Sequence, residues 1–397
     1  MLVVFLLAGA SMILLGGLAA LIGELGGWWY GRWLALHLVF VGGISQLVLG
    51  AAQFFAGAFL ATDPPHRRIL RAQLVCWNLA VVAISIGVPT GITALSGAGG
   101  VLVLAVLALF ALALRQMQRR SLQRQPWAVR WYFAGAAFLA VGASLGPVLA
   151  DGVAWAHGSL LAAHLTLNLG GWFGAAIVGT LHTFYPSLTG TRLRFPALQR
   201  PTFQLWVGGI ALLAIACAFD VRALAALAWI GLAVASALLC LNVFASSRAA
   251  IQRSLSERLV LVAQPMLLLG ALTGLAITIS SGTSAALVGP DRDVVAVLLA
   301  GGWIALTVAG SLLHLLGLMS RVRNFARPAR PEAAGVWQRG LPPAAAALVV
   351  LWALARLLEE GALAQAAEAL LGVALVALAA MIIIAAVRAM RAAPLRF

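Results

Sequence analysis

The chain contains no lysine: all 26 of its basic residues are arginine. That removes one common proton-handling side chain. Charge of either sign is scarce, at 9% of 397 residues against roughly 25% in a soluble domain, so water is not the main solvent for this chain. Cysteine is almost absent. Cys76, Cys217 and Cys240 lie inside apolar runs without a CxxC pair, which reads as three small buried apolar residues. No phosphate-binding loop, no Ser-His-Asp arrangement and no buried carboxylate pair is present. The N-terminus lacks a basic n-region and a small-residue cleavage site, so residues 1–23 read as a retained first span.

What is present is apolar. Hydrophobic residues make up 63% of the chain and the mean hydropathy is +1.03. Apolar segments fall near 2–23, 34–61, 69–93, 98–114, 129–150, 155–186, 203–219, 223–246, 259–280, 294–320, 343–358 and 365–387. Each is close to the ~20 residues that cross a ~30 Å hydrocarbon core. Lipid offers no partner to open backbone, so each segment is expected to be helical, and strand alternation is missing. With no soluble-sized insertion, residues 1–397 read as one all-α polytopic transmembrane domain of about twelve helices.

The arginines test that count. Arg32, Arg222, Arg292 and Arg356 fall on one side of the alternating segments and the other 22 on the opposite side. The positive-inside rule then puts both termini in the cytoplasm. A formal net charge of +15 would suggest nucleic acid for a soluble protein, but here it follows from membrane topology, and no nucleic-acid partner is expected. The expected surroundings are the lipid bilayer of a bacterial cytoplasmic (inner) membrane.

A pattern repeats every four segments. The sixth holds Gly170-Gly171-Trp172, then Gly179-Thr180-Leu181 and His182. The tenth holds Gly301-Gly302-Trp303, then Gly310-Ser311-Leu312 and His314. The second echoes it with Gly42-Gly43, Gly50 and Phe54-Phe55. This spacing suggests three pseudo-repeated four-helix arcs.

Five of the six histidines lie on these same three segments: His37, His157, His164, His182 and His314. The sixth, His66, sits in a loop beside Asp63, Pro64 and two arginines. Ionisable groups inside a membrane are costly and tend to be functional, and neutral imidazole is the commonest nitrogen ligand for haem iron, copper and zinc. On an ideal α-helix His157 and His164 differ by ~20° in azimuth, and His164 and His182 coincide but stand ~27 Å apart. Depth suggests an outer cluster of His37, His157 and His164 and an inner pair of His182 and His314. Asn168, one turn beyond His164, is placed to hold an imidazole or a ligand. Gln46, Gln53, Asn78, Asn242 and Gln264 are simplest as interhelical hydrogen bonders. Pro265 and Pro186 read as a kink and a helix end.

The run His164 to Arg194, HLTLNLGGWFGAAIVGTLHTFYPSLTGTRLR, resembles a segment of bacterial membrane proteins described as cytochrome oxidase subunit I-like. The matching residues are His164, Asn168, Gly171-Trp172, Gly179-Thr180, Phe184, Pro186 and Arg192. The wider pattern resembles NnrS, a twelve-helix haem- and copper-associated family, and through it the haem-copper oxidases. The resemblance implies a haem b site, copper as a second candidate, and a redox partner in the membrane or periplasm. It also implies electron transfer or the handling of a diatomic such as nitric oxide; an enzyme of this kind would be a haem-dependent oxidoreductase. The chain departs from the oxidase pattern. Its seventh segment has no histidine pair for copper, and no intramembrane Lys, Glu or Asp relay is evident, so a proton-pumping oxidase is not expected. Two other readings remain: a metal-free twelve-helix secondary transporter, and an assembly factor that binds metal without turnover.

Overall fold

The structure is a computed structural model that describes residues 2–122, 127–152, 156–250, 253–323 and 336–391. Arg124, Arg327, Arg330 and Arg396, counted above for topology, lie outside the described residues. Among the described residues there is no strand, and twelve helices are long and apolar enough to cross a membrane. They are α1 (Leu2–Gly26), α2 (Gly31–Leu60), α3 (Arg67–Thr90), α4 (Thr93–Arg120), α5 (Trp127–Ala150) and α6 (His157–Thr189). The second six are α7 (Pro196–Ala218), α8 (Arg222–Arg248), α9 (Leu255–Ser281), α10 (Arg292–Ser320), α11 (Arg339–Leu357) and α12 (Gly361–Val387). The protein is therefore an all-α multi-pass membrane protein. Its surface agrees: Leu25, Val101, Val373 and Val376 stand out from the helices, as apolar side chains can when lipid is the solvent.

By its contacts the chain divides into two compact units. One comprises Met1–Thr180 with Leu213–Phe219, the other Leu181–Leu212 with Asp220–Phe397. Two helices packed in lipid gain little from hydrophobicity, because lipid tails are as apolar as leucine. Small residues and polar bonds hold them instead. In the first unit, Gln46 of α2 and Asn78 of α3 exchange amide hydrogen bonds of 3.3 and 3.1 Å. Gln53 donates to Gln73 at 2.8 Å. In the second unit, Gln264 of α9 accepts from the Trp303 indole at 3.2 Å and donates to Thr307 at 3.3 Å, while Asn242 clamps both the N–H and the carbonyl of Phe195. All five amides picked out in the sequence thus bridge separate elements.

The repeat has a backbone counterpart. Each Gly-Gly step lies in a π-helical stretch, with i→i+5 bonding: Leu38–Ile44 in α2, Thr166–Gly174 in α6 and Val297–Ala305 in α10. The second glycine of each step receives the preceding helix. A Cβ on Gly43 would strike Ile13 of α1, one on Gly171 would strike Phe138 of α5, and one on Gly302 would strike Met266 of α9. The π stretch in α6 also corrects one sequence expectation. The 3.6-residue period that would align His164 with His182 does not hold across it. Pro186 does not end α6 either; the helix runs on to Thr189 and stops at Gly190, whose φ of 68° is left-handed.

Candidate cofactor site

His37 is the last α-helical residue before the first π stretch. Its ring stacks on Trp33, one turn earlier, with centroids 3.9 Å apart and planes 26° apart. Its Nδ1 lies 2.9 Å from the Trp33 carbonyl oxygen. A carbonyl can only accept, so Nδ1 carries the proton and Nε2 keeps its lone pair. Nε2 of His37 makes no hydrogen bond among the described residues.

His164 repeats the arrangement on α6. Its Nδ1 donates to the carbonyl of Gly142 on α5 at 2.8 Å. Its Nε2 accepts from the Asn168 amide at 3.0 Å. α2 and α6 pack through Phe40 and Phe173, whose ring centroids are 5.6 Å apart, so His37 and His164 stand on neighbouring helices of the first unit. Asn168 fits because Gly142 has no side chain; a Cβ there would overlap the Asn168 carbonyl oxygen. That oxygen, Oδ1, is buried and has no hydrogen-bond partner among the described residues.

The other histidines are placed differently. His157 is exposed at the first residue of α6. His66 caps α3, its Nδ1 accepting from the Arg68 N–H at 3.2 Å. His182 is buried in the second unit. His314 is met from α6 by Ser187, 3.1 Å from its Nε2, and by the edge of Phe184, 5.3 Å between centroids.

The donor set suits a bis-imidazole haem. Ligating histidines typically have the second ring nitrogen fixed by a carbonyl or carboxylate, and both of these do. His37 offers a lone pair directly, while His164 offers one once Asn168 releases it. The glycines contribute less than their spacing suggests, since Ile13 and Phe138 already cover Gly43 and Gly171. Among the described residues no three His, Cys, Asp or Glu side chains gather as a metal site, so copper would find two imidazoles here rather than three ligands.

Sequence reading missed one polar centre. Glu257, in the first turn of α9, is fully buried in the second unit. Its Oε1 accepts from the hydroxyls of Tyr185 at 3.0 Å and Ser247 at 2.7 Å. The legible signal was Ser254-Leu-Ser-Glu257, the S-x-x-E pattern of a capped helix start, and the Ser254 hydroxyl does accept from the Glu257 N–H at 3.1 Å. Glu257 lies two residues before the apolar run 259–280, at the start of its helix. Compared with protein-family models and with curated proteins, the chain matches none.

Proposed function

We propose that the chain binds a b-type haem between α2 and α6, with His37 and His164 as axial ligands. It would do so in a bacterial cytoplasmic membrane and serve electron transfer or the handling of a small diatomic such as nitric oxide. The observation that carries this reading is the matched pair: two imidazoles on neighbouring helices, each with its Nδ1 proton committed to a backbone carbonyl. When bound, the haem would supply one-electron chemistry and a coordination position for a diatomic. The chain's own part is orientation. Trp33 holds the plane of the His37 ring by stacking, and the Gly142 carbonyl fixes which nitrogen of His164 is basic. Asn168 keeps that basic nitrogen hydrogen-bonded until a stronger partner takes it. Copper is the second candidate for the same imidazoles, and a membrane or periplasmic protein would be the redox partner.

A metal-free transporter is the alternative, and the division of the chain into two compact units near its middle favours it. An absorption spectrum separates the two. Protein expressed with ample haem and copper and purified in detergent should show sharp α and β bands on reduction. His37→Ala should lose them, His164→Ala should lose them or turn high-spin, and His66→Ala should match the wild type. Colourless, metal-free wild-type protein would overturn the haem reading in favour of the transporter.

A further inference from the structure

Where α1 turns into α2 the sequence reads Trp28-Trp29-Tyr30-Gly31-Arg32-Trp33, with His37 one helical turn further on. The turn is tight. The Gly31 N–H bonds to the Trp28 carbonyl at 2.8 Å and the Leu34 N–H to the Tyr30 carbonyl at 2.9 Å. A Cβ on Gly31 would strike the backbone of Gly23 on α1, so the two helices meet backbone to backbone there and fix the turn on the end of α2.

The rings then touch one after another. Trp29 and Tyr30 have centroids 3.9 Å apart, Tyr30 meets Trp33 edge-on at 5.9 Å, and Trp33 stacks on His37 at 3.9 Å. All three are contact distances for aromatic rings. One end of the run, Trp29, is 79% exposed, and the other is the imidazole assigned above to the haem. Tryptophans at a membrane surface serve as interfacial anchors, and that accounts for the exposed Trp28. It does not account for Trp33, whose ring lies on an imidazole. His164 has other neighbours, a carbonyl and an amide, so the ring contacts single out the His37 side.

We propose that Trp29, Tyr30 and Trp33 form the path along which single electrons pass between the α1–α2 turn and the group that His37 holds. The inference rests on the haem reading. Electron tunnelling weakens steeply with the gap between orbitals, and touching π systems keep every gap at van der Waals contact. A one-electron carrier protein seated at Trp29 loses one electron and the haem iron gains it. The three rings end as they began, and no bond is made or broken.

The test uses full-length protein purified in detergent, with ruthenium tris-bipyridine in the buffer. In haem-loaded protein a light flash turns that complex into a one-electron reductant, and growth of the reduced α band reports arrival. Trp29→Leu and Trp33→Leu should slow arrival by an order of magnitude while leaving the resting spectrum unchanged. Trp33→Phe, which keeps a ring, should restore most of the rate, and Trp28→Leu should match the wild type. Equal rates in Trp29→Leu and wild type, or no recovery in Trp33→Phe, would overturn the path. Haem-free protein separates this result from the haem reading. With methyl viologen as electron acceptor the flash yields ruthenium(III), which takes an electron from Trp29. Tyr30 refills Trp29 and releases its phenolic proton to water. The tyrosyl band should form slowly in Trp29→Leu and vanish in Tyr30→Phe, since Tyr132 and Tyr185 are buried. A wild type that never shows α and β bands but passes this second test loses the haem and keeps the path. A tyrosyl band that is missing, or indifferent to Trp29→Leu, overturns the path itself.

Discussion

Asn168 and His164 stand one helical turn apart, and the amide nitrogen of the first is bonded to the basic nitrogen of the second at 3.0 Å. The imidazole lone pair that iron would need is thus engaged, and a metal must compete with a hydrogen bond worth about 1 kcal/mol. Asn168→Ala frees that lone pair. We expect haem titrated into the variant to reach the six-coordinate, low-spin spectrum at a several-fold lower concentration than in the wild type. Identical titrations would show that Asn168 does not restrain His164.

The glycine steps should behave as packing sites. A Cβ on Gly302 would lie 2.8 Å from Met266 Cγ and 2.9 Å from Val349 Cγ1. Methionine can yield, but valine is stiff at χ1. Gly302→Ala should therefore destabilise by about 1–3 kcal/mol, the usual cost of overpacking. Gly372→Ala, where nothing lies within 4 Å, should be neutral or slightly stabilising. Thermal unfolding in detergent compares the two, and equal midpoints would refute the packing role.

The tryptophans of the repeat make separate bonds that can be weighed. The Trp172 indole donates to Ser45 at 3.1 Å and the Trp303 indole to Gln264 at 3.2 Å. Double-mutant cycles with Trp172→Phe and Ser45→Ala should return a coupling of about 0.6 kcal/mol, typical of interhelical bonds in membranes. A coupling of zero would mean the rings act by volume alone.

Orientation is testable by reporter fusions. The split of 22 arginines against four predicts cytoplasmic readings after residues 120 and 330 and a periplasmic reading near Asp291. A periplasmic reading after residue 120 would invert every inside-outside assignment.

No proton-pumping oxygen reduction is expected, because α7 carries no histidine pair for copper. Sustained oxygen consumption by the isolated chain with a reduced donor would contradict this.

Helix number and the four-helix repeat were legible because hydropathy and arginine placement are long-range signals summed over twenty residues at a time. The proposed pairing of His37 with His164 rests on a sequence signal of a related kind: both occupy similar positions before a Gly-Gly step. The π stretches were not legible. The extra residue per turn depends on neighbouring helices filling the glycine notches, as Ile13 and Phe138 do, and no local propensity encodes it. Glu257 escaped because it falls two residues before the apolar run that marks its helix. Its burial is created by Tyr185 and Ser247, 72 and 10 residues away.

The wide turns of α2, α6 and α10 also act as phase shifters. Each holds a surplus residue that an α-helix would place a further ~100° around the axis. Removing Gly170 alone would let that turn relax to α-helical winding. The segments bearing His164 and Thr180 would keep their relative facing, because the residue removed is the one the wide turn absorbs. A one-residue deletion there should therefore cost less than one in the regular α-helical turns of the same helix, which would re-aim one flank by ~100°.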